Sequence, residues 1–143
     1  MCGIAGFCSF NEDLPLNVIN KMLDRIEHRG PDDQGIYKDI NVNLGMRRLE
    51  ILDKPGGKQP FEINGRFEVT FNGEIYNHLA LRKLVPSYSW KSRSDTETIG
   101  VLFQYIGLKT FSLLQGMFAI SIWDKDQKQL IIARDRFGEK PLF

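Results

Sequence analysis

The residue with the sharpest chemistry is Cys2, directly behind the initiator Met1 and ahead of Gly3. A small residue at position 2 permits removal of Met1, which would leave a thiol and a free α-amine on one residue. An amine with an unperturbed pKa of about 7.7–8.0 is a useful general base at working pH. A nucleophile activated by its own N-terminal amine is a known form of the nucleophile–base pair. Taken alone, a cysteine here is more simply read as a small residue at a frayed terminus. Cys8, His28 and His78 could join Cys2 as metal ligands, but their spacing matches no zinc pattern, and no metal site is expected. The pair Gly56-Gly57 precedes no helix opening with Lys and Ser or Thr, so it is not a phosphate-binding loop. Gly30 and Gly35 read as turn glycines.

These residues need elements to hold them. Ile4 to Phe10 is short and apolar and reads as a buried strand. Leu16, Ile19, Leu23 and Ile26 follow helical spacing, with Pro15 in the first turn and Gly30 beyond the end. Val42 to Leu52 is strand-like and is broken by loop chemistry from Asp53 to Lys58. Phe67, Val69 and Phe71 alternate with Arg66, Glu68 and Thr70, a half-buried strand that runs into Asn72-Gly73. That dipeptide predicts a hairpin turn before Glu74-Ile75-Tyr76. A short helix fits Leu79 to Val85. Ser94-Asp-Thr-Glu97 is a capping box that opens a helix running to about Gly107. Phe118, Ile120 and Ile122 alternate with Ala119, Ser121 and Trp123, and a polar turn at Lys125 to Lys128 leads to Leu130–Ala133, a second hairpin. Antiparallel strands with several separate helices predict α+β layers rather than βαβ units.

Composition narrows the classes of function. The chain has 143 residues, enough for one domain, with 42% hydrophobic and 26% charged residues. Nineteen basic and 18 acidic residues give a net charge of +1, with no electrostatic footprint for nucleic acid or an anionic membrane. No apolar run approaches the roughly 18 residues of a membrane span, and the N-terminus does not read as a signal peptide. Two cysteines make no disulfide framework and point to a reducing cytoplasm.

The blocks of sequence fit together in one pattern. Met1-Cys-Gly-Ile-Ala-Gly-Phe7, His28-Arg-Gly-Pro-Asp-Asp-Gln-Gly35, Arg48-Leu-Glu-Ile-Leu-Asp53, Asn72-Gly-Glu-Ile-Tyr-Asn77, Ser94-Asp-Thr-Glu97, Leu114-Gln-Gly-Met-Phe-Ala119 and Ala133-Arg-Asp-Arg-Phe-Gly-Glu-Lys-Pro-Leu142 follow one another in order. Together they resemble class II glutamine amidotransferases, which are N-terminal nucleophile hydrolases. They most resemble the glutaminase domain of the glutamine-hydrolysing asparagine synthetase branch.

The resemblance implies a four-layer αββα sandwich of two antiparallel sheets, with residues 1–143 forming the glutaminase domain. It implies that Cys2 attacks the side-chain amide of glutamine to give a glutamyl thioester and ammonia. Asn72, by its side chain, and Gly73, by its N–H, match the family's oxyanion hole. Arg48 matches the residue that holds the glutamine α-carboxylate. Arg47 is the competing candidate, which strand alternation sends to the opposite face. Leu49, Glu50, Ile51 and Leu52 match the segment lining the same pocket, and Asp95, aided by Glu74, would bind the α-ammonium. For Asp95 the alternative is a first-turn acid that complements the helix dipole; for Asn72-Gly73 it is the turn itself.

No cofactor is expected for glutamine hydrolysis. ATP, magnesium and aspartate belong, by the same resemblance, to a synthetase domain normally in the same chain and absent from this one. The expected partners are glutamine, that domain and a second copy in a homodimer. Related domains run on for several more strands, so an incomplete C-terminus with an unpaired sheet edge is also expected. Two other readings remain: an inactive remnant serving as a binding module, and the glutaminase half of an enzyme that aminates a sugar.

Overall fold

A computed structural model of the chain describes residues 2–10, 16–49 and 57–143. Among the described residues, seven strands and the helices between them form an α+β sandwich. The strands are β1 (Gly3–Cys8), β2 (Asp33–Lys38), β3 (Val42–Arg48), β4 (Phe61–Ile63), β5 (Phe67–Ile75), β6 (Gly116–Asp124) and β7 (Gln129–Arg134). The main helices are α1 (Leu16–Arg25), α2 (His78–Arg82) and α3 (Asp95–Ile106). One sheet has the order β1-β3-β2 and the other β4-β5-β6-β7. All the strand pairs in both are antiparallel.

Alternation along β5 and β6 divides the core in two. Phe67, Val69, Phe71 and Ile75, with Phe118, Ile120 and Ile122, face α2 and α3, where Leu81, Ile99 and Leu102 complete one cluster. Each fully buried Ile or Leu there contributes about 1.5–3 kcal/mol over its exposed state. Trp123 points the other way, packing with Val42 and Leu44 of the opposite sheet, and its indole N–H donates to Asp39 at 3.2 Å. On the far side Leu23 of α1 sits against Gly45, where a Cβ would come within 2.8 Å of its methyl carbon. The order is helix, sheet, sheet, helix.

The structure corrects three expectations. Asn72-Gly73 is no turn: β5 runs unbroken to Ile75, in register with β6 from Phe67↔Asp124 to Ile75↔Gly116. The hairpin belongs to the chain's other Asn-Gly pair. Asn64 and Gly65, with φ of 50° and 73°, join β4 to β5, and the Arg66 N–H closes the turn on the Ile63 carbonyl at 3.1 Å. Nine residues of cross-strand pairing override the local turn preference of Asn-Gly. Gly35 is also not a turn glycine. It lies within β2, opposite Met46, where the Gln59 carbonyl approaches too closely for any Cβ. Finally, Ser94 caps α3 by accepting the Thr96 N–H at 3.2 Å, but Glu97 does not reach back to complete the box. Ser92 Oγ takes the Ser94 N–H instead. The second hairpin, at Lys125–Lys128, and the helix opening at Asp95 form as expected. The strand from Val42 is seen to Arg48, and its expected continuation to Leu52 passes outside the described residues, as do Pro15, Glu50, Ile51 and most of the 53–58 loop.

Candidate active site

Cys2 lies just before β1, which pairs with β3 through Gly3↔Arg47. That pairing lays Cys2 against the end of β3: the Leu49 N–H points at its Sγ at 3.4 Å, and the Leu49 carbonyl lies 3.7 Å from the same sulfur. From the other side Arg29 Nε donates to the Cys2 carbonyl at 3.2 Å. The half-buried thiol is therefore held at both ends of its residue. Both Cys2 and Cys8 are free thiols.

In front of Cys2 is a cleft of about 80 Å3, too small for a nucleotide or a peptide. Arg48, Leu49, Gly73, Glu74 and Asp95 share its walls, so five expected site residues meet there with Cys2. Arg48 is buried on the cleft side of β3. Arg47 turns to α1, bonding the Leu23 carbonyl at 3.2 Å and Asp24 at 3.3 Å. Alternation separates the two arginines as expected. Asn72 is buried and lines a different space, the cavity of about 650 Å3 between the sheets, together with Gly3, Thr70 and Ser121. Glu50, Ile51 and Leu52 lie outside the described residues.

The free edge of β5 explains how Gly73 meets the cleft. β4 pairs only as far as Phe61↔Val69, so beyond Val69 the N–H groups on that side find other acceptors. Phe71 N–H donates to Gln59 Oε1 at 2.6 Å, and Ile75 N–H to Asp95 Oδ2 at 3.1 Å. In an antiparallel ladder alternate residues direct their N–H to the same side. The Gly73 N–H, midway between these two, therefore points at the cleft. A Cβ on Gly73 would overlap the Met117 carbonyl oxygen.

The cleft carries both signs of charge. Arg48 and Arg93 stand on its walls with Glu74 and Asp95. Burial raises the Glu74 carboxyl above the ordinary range, and the Asp95 charge raises it further. Burial also raises Asp95, against the lowering effect of the Ile75 N–H and its own helix-end amides. Two carboxylates with raised pKa values and a buried guanidinium thus share one small space. Their charges are complementary to those of a small zwitterion.

Several cleft residues were not foreseen. His78 was weighed only as a metal ligand. It stands in the cleft wall with a buried Nδ1 that has no hydrogen-bond partner, and burial followed by the Arg82 charge lowers its pKa. Gln59 joins the Phe71 N–H to Thr96 Oγ1, at 3.0 Å from its Nε2, and nothing in its neighbours announces that role. Among the described residues, no three His, Cys, Asp or Glu gather as a metal would require, and no helix is long and apolar enough to cross a membrane.

A layered α+β sandwich with the Cys2 thiol facing a small cleft of mixed charge fits the class II glutamine amidotransferase pattern described above. Residues 1–143 match the glutamine amidotransferase domain, and the chain belongs to that family. The glutamine-hydrolyzing asparagine synthetase 2 of Bacillus subtilis (strain 168) is 39% identical over 148 residues, with all of this chain and 20% of the relative covered. The glutamine-hydrolyzing asparagine synthetase 3 of Arabidopsis thaliana is 38% identical over 146 residues, with all of this chain and 25% of the relative covered. Amidase chry2 of Gibberella zeae is 36% identical over 159 residues, with all of this chain and 24% of the relative covered. The chain spans from 20% to 32% of the length of such curated relatives.

Proposed function

We propose that the chain hydrolyses glutamine to glutamate and ammonia through a thioester on Cys2. The observation that carries this reading is the shared cleft: the Cys2 thiol and the cleft-facing Gly73 N–H stand with Arg48 and Asp95 around a space of amino-acid size. Glutamine binds with its α-carboxylate on Arg48 and its α-ammonium between Asp95 and Glu74. The α-amine of Cys2, free once Met1 is removed, takes the thiol proton as sulfur attacks the amide carbon. The C=O electrons move to oxygen, and the Gly73 N–H receives that charge, joined by the Asn72 side chain turning in from the adjoining cavity between the sheets. Collapse of the adduct breaks the C–N bond, and the amine returns its proton to the departing nitrogen, which leaves as ammonia. Water then attacks the thioester and restores the thiol. No step calls for a metal or an organic cofactor.

The names of two relatives extend the proposal. Ammonia passes to a synthetase part of the same polypeptide, which converts aspartate to asparagine with ATP and magnesium in the cytoplasm. The test is glutamate release from glutamine by the full chain, with Cys2→Ala as control and intact mass reporting whether Met1 is present. Activity that survives Cys2→Ala, or full activity in a sample retaining Met1, would refute the mechanism.

A further inference from the structure

The β6–β7 ladder ends at Ala119↔Arg134. One residue on, Asp135 lies opposite Phe118, and its N–H donates to the Phe118 carbonyl at 2.9 Å as a ladder residue would. The return bond is different: the Phe118 N–H donates to Asp135 Oδ2, at 3.1 Å, so a side chain occupies the ladder position. The same carboxylate accepts the N–H of Lys140 at 3.0 Å, and on Oδ1 those of Phe137 at 3.1 Å and Glu139 at 2.9 Å. Only 6% of Asp135 is exposed. The four amides hold its carboxyl well below the usual range, at about 2, against the opposing effect of burial.

Its neighbours tighten the same knot. Arg134 bonds the carbonyls of Lys140 at 2.9 Å and Gly138 at 2.7 Å, closing the return of the chain. Arg136 bonds the Ser112 carbonyl at 3.2 Å, near the start of β6.

Holding Phe118 has a consequence across the sheet. Because Phe118 spends its N–H and carbonyl on Asp135, its pair with Gly73 is the non-hydrogen-bonded kind, which brings the two backbones close. A Cβ on Gly73 would stand 2.8 Å from Phe118 Cα. No side chain cushions the contact, so a shift of Phe118 passes directly to the Gly73 amide. We propose that Asp135 is a positioning residue for glutamine hydrolysis, fixing Phe118 and, through it, the Gly73 N–H that receives the oxyanion. This rests on the reading of Cys2 and Gly73 given above.

The test separates positioning from mere support. Glutamate γ-semialdehyde adds reversibly to a thiol, and its oxygen then occupies the oxyanion position, whereas glutamate makes only the α-carboxylate and α-ammonium contacts. In the full chain, per titrated thiol, Asp135→Asn should weaken the aldehyde at least tenfold and lower kcat comparably, with glutamate affinity within twofold. Asp135→Glu, which keeps the charge but displaces it by one methylene, should move the same ratio if the Asn variant does not fold. Arg134→Gln frees the 138–140 return and leaves Phe118 held; it should lower the melting temperature without altering the ratio. Asp135 variants that melt lower with an unchanged aldehyde-to-glutamate ratio would overturn this inference alone. A wild-type chain that binds glutamate but not the aldehyde would overturn it together with the reading of Cys2.

Discussion

Glu97 offers the strictest test of how the site is held. It is fully buried in the first turn of α3, and its carboxylate gathers the loop before the helix. Oε1 accepts the Lys91 N–H at 2.8 Å and the Tyr88 hydroxyl at 3.3 Å; Oε2 accepts the Ser92 N–H and the Ser92 hydroxyl, both at 2.8 Å. Arg82 Nη2 stands 3.9 Å away and donates to the Ser94 carbonyl, while Nη1 donates to the Ser92 carbonyl and Nε to the Thr98 hydroxyl. Glu97→Gln preserves shape and replaces one acceptor with an NH2. In either orientation a half-buried backbone N–H, of Lys91 or of Ser92, loses its acceptor, which costs about 1–3 kcal/mol. The bonds that remain fall from charge-assisted to neutral, a further loss of about 1 kcal/mol. The total of about 3 kcal/mol corresponds to a fall of roughly 10 °C in Tm for a domain of this size.

The loop leads directly into Ser94 and Asp95 and carries Arg93, all on the cleft wall. Loosening it should therefore raise KM for glutamine about tenfold, since these groups hold the unreacting end, while kcat changes less than threefold. Thermal melting and steady-state glutamate release measure the two effects. Ile122→Val, in the core on β6 opposite Val69, should lower Tm without moving KM. A Glu97→Gln chain within about 2 °C of wild type would refute the bond accounting. One that melts far lower with KM unchanged would refute the link from loop to site.

Asn72→Ala should lower kcat about 10²-fold with little change in KM, because its bond strengthens in the transition state. Arg48→Ala should raise KM about 30-fold, since a charge-assisted pair to the α-carboxylate is worth about 2 kcal/mol. Equal effects of both on KM alone, in one kinetic series, would reverse the assignment. Glutamine binding should also weaken on acidification sooner than ordinary carboxylates would dictate. The Glu74 and Asp95 pKa values are both raised, so each protonates and loses its hold on the α-ammonium at a higher pH than a free carboxyl. The sign for folding is opposite: acid relieves the cost of burying those charges. A KM that stays flat down to pH 4 would contradict this.

The principal strands and the capped helix were legible because hydrophobic period is a local signal; their stacking in four layers came from the resemblance. Phe67-Val69-Phe71 and Phe118-Ile120-Ile122 each declare a buried face, and Ser94 declares a helix start. β2 and β4 were not legible. Asp33–Lys38 shows no alternation of apolar and polar residues, and the three residues of Phe61–Ile63 are too few to show a period. Both strands form because β3 and β5 offer edges to pair with, which is a property of the folded sheet.

The same distinction explains the error at Asn72-Gly73 and what can be learned from it. An Asn-Gly pair turns when nothing opposes it, as at Asn64-Gly65, whose positive φ values close a two-residue loop. At Gly73 the glycine serves another need. Its missing side chain lets β5 lie against the Met117 carbonyl, and the shortness of β4 leaves its N–H facing the cleft instead of a neighbouring strand. A glycine within an alternating strand is costly unless a backbone must come close or a donor must be left free. Both conditions hold here, and a sequence cannot show where β4 stops. Position and function therefore became readable together, once the register of β5 was known.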